Sequence, residues 1–396
     1  MGMLRVRDQV ACCMCSHWMH ECTKRVLLHT AMWPAEKLFL SRSRIHPHMK
    51  QSLLHVCRVD SVGSVAQLVR LPSLREIIFS AGFNQELAVG ALPRNMTRLV
   101  FGRCFNQELV QGVLPCGLKH LVLGGYEHNL DACGLPSSLE TVDLGFCYNR
   151  PLLAGVFPCW LRSLNLGGRF DQKLEVGVLP VNLLNLNLGG RFNQPLEVGV
   201  LPVNLVSLTF SYWFDQPLSV GVLPDTVQSL TFGCMYNQTF EVGVLPDGLQ
   251  TLTLGFWFDQ PLHAGSMPCG LQRLTLGQHF DRPLTLGVLP DTLTTLELGL
   301  YFNQALEVGV LPVNLLSLTF GHWFNQRLNV GVLPDSLQFL AFGHKFNQLL
   351  VEDILPGSML EIRLPIAYTH AVHCAPHVNI LRGPNSTWPV AVQQYR

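Results

Sequence analysis

Cys12, Cys13, Cys15, His17, His20 and Cys22 crowd metal-ligating side chains into one short run of a 396-residue chain. Zinc takes four ligands converging tetrahedrally, usually from two pairs with CxxC-type spacing. Here there is one crowded group and no distant partner pair, so the sequence predicts no metal site. His370, His373, Cys374 and His377 near the other end fare no better.

Nucleophilic chemistry finds no more support. Ser and Thr recur at matching positions again and again, as structural residues do, and Asp recurs in the same way. Each Gly-Val-Leu-Pro belongs to a repeat and is no strand-to-helix phosphate cradle. The expectation is a protein that is not an enzyme and carries no cofactor. With 27 basic and 27 acidic residues, formal charge is zero and charged residues make up 14%. No strong field exists to attract phosphate backbones or acidic lipid, so neither nucleic acid nor membrane is expected as a partner. No apolar run reaches the roughly 20 residues of a membrane span.

The thirteen cysteines are odd in number and irregularly spaced. Cys116, Cys159 and Cys269 occupy positions that other turns fill with Val or Asp. A disulfide framework would show regular spacing, so a reducing compartment, cytoplasmic or nuclear, is expected. Arg5, Arg7 and Asp8 leave no clean apolar stretch for a signal peptide. Val6 stands where myristoylation favours Ser or Thr.

What dominates the chain is repetition. Prolines fall at 93, 115, 136, 158, 180, 202, 224, 246, 268, 290, 312, 334 and 356, spaced by 22 residues except for one gap of 21. Such a period means a solenoid of stacked units, none able to bury its apolar face alone. In Leu245–Leu262 the segment Thr251-Leu252-Thr253-Leu254 alternates polar and apolar, the period of a strand. Its counterparts include Ser163–Leu166, Ser207–Phe210, Ser229–Phe232 and Ser317–Phe320. Stacked, these strands predict one parallel sheet with leucines inward and Ser/Thr outward. Gly255 and Gly233 then let the chain leave the sheet where a side chain, or a φ below zero, would obstruct.

An aromatic follows in each turn, Phe192, Phe214, Tyr236, Phe258, Phe280, Phe302, Phe324 and Phe346 among them, predicting a buried spine of rings. Asn or Asp comes next in twelve of thirteen turns and Gln after that in ten, with Arg150 and Arg282 as exceptions. Interchange of Asn193 with Asp215 or Asp259 points to a shared accepting oxygen, read as an Asx-type bond to a nearby backbone N–H. A pure amide ladder would not tolerate Asp259 beneath Asp281. Gln is read as crossing to a backbone partner. The return path mixes Pro, Gly and β-branched residues, poor for a helix, so an extended or polyproline-like back wall with at most a one-turn 3₁₀ piece is expected.

Phe192-Asn193-Gln194-Pro195-Leu196 and its relative at 83–87, Gly-Val-Leu-Pro at 199–202, 221–224 and 243–246, and Leu-x-x-Leu-x-Leu/Phe-Gly together resemble the FNIP repeat, a leucine-rich-repeat-like unit. The resemblance spans about 71–356. It departs from the family's pattern in that Gln or Arg, not Ile, follows the Asn. It differs from standard leucine-rich repeats in placing the Asn five residues after the last strand leucine instead of three. It implies a solenoid, sometimes joined to F-box or kinase modules.

The predicted fold is therefore mostly β: a right-handed solenoid of about thirteen 22-residue turns with one parallel sheet and few or no helices in the repeats. Residues 1–70 are expected to form a partly helical N-terminal cap, with short helices at His20–Met32 and Pro47–Cys57. The solenoid is placed at 71–356, with a cap and loose tail at 357–396 to which Leu360–Leu364 could add a last strand. The turn at 116–136 lacks one residue before Tyr126, carries Glu127 and His128 in place of Asn and Gln, and has Cys133 where Gly is usual. It is expected to be the weakest joint of the stack.

In a repetitive frame, binding is sought where residues vary. The two residues before each spine aromatic vary most, and the second of each pair reads Arg169, Arg191, Trp213, Met235, Trp257, His279, Tyr301, Trp323, Lys345. Aromatics and Arg dominate interface energies. Arg169, Arg191, Trp213, Trp257, His279, Tyr301, Trp323 and Lys345 are thus the candidate binding residues of a non-catalytic protein-interaction scaffold, expected to be a monomer. The other reading of the row is a shield folded over the spine. Two alternative functions stand beside the scaffold: a ubiquitin-ligase substrate receptor with a degenerate F-box near 30–70, beginning at Trp33-Pro34-Ala35-Glu36, and carbohydrate binding by stacking on Trp and Tyr. The outward Thr209, Thr231, Thr253, Thr275 and Thr319, with Glu297, form a smooth polar strip explained by β-propensity.

Overall fold

A computed structural model describes residues 38–40, 56–59, 74–131, 133–351 and 353–383. Among these residues seventeen strands of three to five residues, from Leu38–Leu40 to Asn379–Gly383, form one sheet. Each pairs in parallel with its neighbours in sequence, so that Ser229, Leu230 and Thr231 lie beside Thr251, Leu252 and Thr253. No residue outside these strands is helical among those described. The chain returns from each strand to the next within one 22-residue turn, and every strand hydrogen bond is made between turns. That is why a single turn cannot fold by itself.

The alternation read from sequence is the alternation observed. In Thr251–Thr253 the central leucine is buried and the flanking threonines are half-buried. Inside the sheet lies one continuous core. The spine rings stack turn on turn, with centroids 6.2 Å apart for Phe170–Phe192 and Phe192–Phe214, and 6.1 Å for Phe258–Phe280. Where a second ring stands at the end of the strand, as in Phe210–Phe232, the separation is only 4.8 Å. Spacing is therefore tighter at the sheet than in the spine behind it, and each turn is a wedge that curves the sheet inward.

Among the described residues the back wall has no 3₁₀ piece. It is made of two tight turns per coil: Val200 N–H donates to the Glu197 carbonyl at 3.2 Å, and Leu205 N–H to the Pro202 carbonyl at 3.1 Å. The first turn requires a left-handed residue, which Gly199 supplies at φ 86°. The glycines leaving the sheet bear out the expectation that a side chain would obstruct there: a Cβ at Gly255 would lie 1.9 Å from the Gly233 carbonyl oxygen of the turn before. A positive φ is used at this place only in some turns, as at Gly167 and Gly189, and not at Gly233 or Gly255. Close approach of backbones is the requirement these turns share.

The sheet begins earlier and ends later than the repeat signature. Val56–Val59 is a strand where the sequence suggested a helix ending at Cys57, and with Leu38–Leu40 it extends the same parallel sheet. The helix expected at His20–Met32 lies outside the described residues. Beyond Pro356, Glu361–Pro365 adds the anticipated strand, and Asn379–Gly383 adds another. Between them, Tyr368 stacks 5.8 Å from Phe346, and Thr369 N–H donates to Asn347 Oδ1 at 3.1 Å. The expected loose tail thus contains one further turn that keeps the stacking without the consensus.

Turn 116–136 also differs from its alignment. Cys133 is not at the glycine position in space: it is buried in the core, and Gly134 takes the left-handed φ of 55°. Burial pushes the Cys133 thiol up to about 12, so it is a packing group there and no nucleophile.

Candidate functional site

The row of short acceptors does not make local Asx turns. Each side-chain Oδ1 accepts the backbone N–H of its own counterpart one turn on: Asp215 N–H donates to Asn193 Oδ1, Asn237 N–H to Asp215 Oδ1 and Asp259 N–H to Asn237 Oδ1, all at 2.9 Å. Gln joins the same acceptor, with Gln216 Nε2 3.2 Å from Asn193 Oδ1 and Gln238 Nε2 2.9 Å from Asp215 Oδ1. Asn and Asp interchange because only an accepting oxygen is used. Backbone carbonyls also receive Gln: Gln326 Nε2 lies 3.0 Å from the Asn303 carbonyl. This ladder pins the loop that carries the spine ring and, two residues earlier, the candidate binding residues.

A second ladder fixes those residues themselves. Trp257 N–H donates to the Cys234 carbonyl at 2.9 Å, His279 N–H to Phe256 at 3.0 Å, Tyr301 N–H to Gln278 at 2.9 Å, Trp323 N–H to Leu300 at 3.0 Å and Lys345 N–H to His322 at 2.9 Å. In the pairs Tyr212-Trp213 and Phe256-Trp257 the first residue is the more buried and the second projects, and Cys234 is likewise buried. Trp213, Trp257, Tyr301 and Trp323 are 49%, 42%, 40% and 46% exposed.

From Trp257 onward the side chains form one stack along the solenoid axis. Trp257 and His279 lie 4.0 Å apart at 17°, His279 and Tyr301 4.6 Å apart at 30°, and Tyr301 and Trp323 6.4 Å apart at 9°. Lys345 Nζ sits 5.2 Å from the Trp323 ring centre. The faces of these rings are turned to one another, so solvent meets their edges. Their ring contacts run along the row and sideways to Phe256 and His322, not down to the spine. Trp213 stands apart from this stack and packs edge-on against Tyr212. At the other end, Arg169 lies 5.5 Å over Phe146, a half-exposed ring that the sequence pattern passed over because it occupies the first place of its pair. Phe146 fits flat because Gly168 is beside it: a Cβ at 168 would fall 2.4 Å from the ring. Arg191 projects from the next turn.

Electrostatics around the row are mild. Burial holds His279 below its ordinary value, opposed by Asp259. On the polar strip of the sheet, burial raises Glu297, partly offset by Thr275 and Arg273. Further along the sheet, Asp143 is raised by burial while its oxygens accept from Gly145 N–H at 2.8 Å and Asn165 Nδ2 at 3.1 Å. Among the described residues no group of His, Cys, Asp and Glu is placed to hold a metal ion. The Cys12–Cys22 cluster lies outside the described residues. His370 is engaged in the last turn, its Nε2 3.1 Å from the Asn347 carbonyl. A cleft of about 130 Å³ lies beside the irregular turn, among Asn129, Asp131, Pro151 and Val156. In the segment where an F-box was considered, the described residues are two strands of the sheet. No described helix is long and apolar enough to cross a membrane.

Two solved structures share the architecture, and a third is similar at a lower score. Among solved structures, CroV588, described as a novel circular LRR protein, is 31% identical at a TM-score of 0.67, over 83% of this chain and 55% of that one. The TLR13–ssRNA13 complex is 16% identical at a TM-score of 0.53, over 83% of this chain and 50% of that one, a likeness of fold alone. An internalin (inlF) from Listeria monocytogenes is 15% identical, TM-score 0.48, over 81% of this chain and 93% of that one. The chain spans about half the length of the first two. No curated protein matches it. The family model described as FNIP Repeat matches residues 105–147, 148–191, 192–235, 236–268, 258–301, 302–345 and 324–365. Those stretches run through about two thirds of the chain, and the protein belongs to the FNIP repeat family.

Proposed function

We propose that this protein is a non-catalytic scaffold that binds another protein through the row from Arg169 to Lys345. The observation that carries the reading is the stack Trp257–His279–Tyr301–Trp323, exposed yet already ordered by ring contacts and a backbone ladder. Large side chains held in place before binding lose little conformational freedom on contact, which is what an interaction hot spot needs. A cytoplasmic or nuclear site of action and a single-copy state accompany this proposal.

Carbohydrate binding is the weaker reading, because a sugar stacks on a ring face and the faces of His279 and Tyr301 are both covered by neighbouring rings. A glycan array tests it directly. The ubiquitin-ligase alternative rests on residues 30–70, and a pull-down of an adaptor subunit by that segment would revive it.

Affinity purification with mass spectrometry, run in parallel on the wild type and on the Trp257→Ala/Trp323→Ala variant, tests the main proposal. Partner capture should vanish in the variant while circular dichroism stays unaltered. Undiminished capture would reject the row as the site.

A further inference from the structure

The chemistry exposed along the row is one-sided. Arg169 and Lys345, eight turns apart, are cations, and so is Arg191; among the described residues none of the three forms an ion pair. Arg169 and Lys345 rest instead on the rings of Phe146 and Trp323. Between them project Trp213, Trp257 and Trp323, whose indole N–H groups can only donate and have no hydrogen-bond partner among the described residues. Because the rings from Trp257 to Trp323 stack face to face, they offer solvent their edges, the positive rim of the aromatic quadrupole. No carboxylate stands in the row.

Carboxylates do stand in the parallel row two residues on, at Asp171, Asp215, Asp259 and Asp281. Each turns Oδ1 to the N–H of the following turn, and Asp259 Oδ2 meets Arg282 at 2.9 Å. Their Oδ1 atoms are engaged within the fold by N–H groups of the next turn, whereas among the described residues Arg169, Arg191 and Lys345 have no carboxylate partner.

We infer that the row recognises an extended acidic segment of a partner protein, lying along the solenoid axis with carboxylates at Arg169, Arg191 and Lys345 and backbone carbonyls against the indole N–H edges. This rests on the row being a protein-binding site and adds the chemistry of what it binds. Eight turns at about 4.8 Å make a track of about 40 Å, the reach of roughly twelve residues in extended conformation. The sequence's neutral total charge conceals this, because the acids that balance it lie elsewhere in each turn.

The test uses the full chain and a twelve-residue peptide alternating Glu with Leu or Val, followed by tryptophan fluorescence and calorimetry. Controls are the same peptide with Gln for Glu, and a twelve-nucleotide single-stranded DNA as a rival polyanion. The acidic peptide should bind at least about tenfold more tightly than the Gln peptide, a difference of about one decade in Kd. It should weaken with salt, and it should lose binding in Arg169→Glu/Arg191→Glu and in Trp257→Ala/Trp323→Ala. Arg169→Gln/Arg191→Gln, which adds no repulsion, checks that charge loss alone weakens binding in a folded protein. Equal affinity for the Gln peptide, with dependence on the tryptophans retained, would overturn the acidic assignment and leave the docking row standing. Acidic binding indifferent to the tryptophan variant would overturn both. Tighter binding of the oligonucleotide, or no acidic-peptide binding at millimolar concentration, would overturn the acidic segment as occupant.

Discussion

The guanidinium of Arg282 grips Asp259 twice, through Nη2 to the carboxylate Oδ2 at 2.9 Å and through Nε to the backbone carbonyl at 3.0 Å. Asp259 is the residue on which Asp281 stacks, its Oδ1 taking the Asp281 N–H at 3.0 Å. Two carboxylates adjoin there in a row where most turns alternate with Asn. Gln stands at this place in ten turns, but only a cation can offset the repulsion of the acidic pair. Arg150 also stands in place of Gln and donates through Nε to the Glu127 backbone carbonyl at 2.8 Å, in the turn after Glu replaces Asn.

Arg282→Gln should therefore destabilise the solenoid by roughly 0.5 kcal/mol, within the range of partly exposed ion pairs. Adding Asp259→Asn should restore most of the loss, since the amide oxygen still accepts the Asp281 N–H. Urea unfolding of the wild type, both single variants and the double variant measures the coupling; additive effects would show that the pair does not interact.

The spine is where stability concentrates. Phe214 is fully buried and stacks on Phe192 at 6.2 Å and Tyr236 at 6.1 Å. Phe214→Ala removes ring contacts to two turns at once and should cost about 4 kcal/mol. Trp213→Ala, one residue earlier but half-exposed, should cost under about 1 kcal/mol. Denaturation midpoints for the two variants give a direct contrast, and similar losses would mean that the projecting row is part of the core.

Tyr236 offers a gain. Its hydroxyl is buried with no hydrogen-bond partner, unlike that of Tyr368, which donates to the Gln348 carbonyl at 3.1 Å. Most turns carry Phe at this place. Tyr236→Phe should stabilise the fold by about 1 kcal/mol, the desolvation penalty of an unsatisfied hydroxyl. A lower melting temperature in the variant would show that the hydroxyl is satisfied in solution.

Much of this was legible in the residues, and what was not has physical causes. The 22-residue period, the strand alternation at Thr251–Leu254 and the ring in each turn all express core burial, which leaves a strong imprint on residue type. The strands Val56–Val59 and Asn379–Gly383 left none, because a short parallel strand is held by backbone groups that every residue carries. The partner of each Asn or Asp was misjudged for a related reason: composition reveals that an acceptor is needed, but an N–H in the same turn and one a full turn away are equally consistent with it. The candidate row was proposed from its variability. Its stacking, which turns ring edges to solvent, depends on side-chain rotamers that spacing does not encode.

Glu297 interrupts the threonine strip and supplies a pH test. Burial raises its native pKa, with the Thr275 hydroxyl and Arg273 opposing. The folded state then binds this proton more readily than the unfolded chain, so the group's contribution to stability falls as pH rises from below the ordinary Glu value through its native value. Glu297→Thr removes that dependence and continues the strip between Thr275 and Thr319, its partners in the sheet. At pH 7 the variant should melt roughly 1–3 °C above the wild type, and the gap should close as pH is lowered below about 4. Melting curves of both proteins between pH 3.5 and 7.5, compared as differences so that the other carboxylates cancel, decide the matter. A gap that widens toward low pH would mean that Glu297 is stabilised as a carboxylate, with Arg273 outweighing the burial.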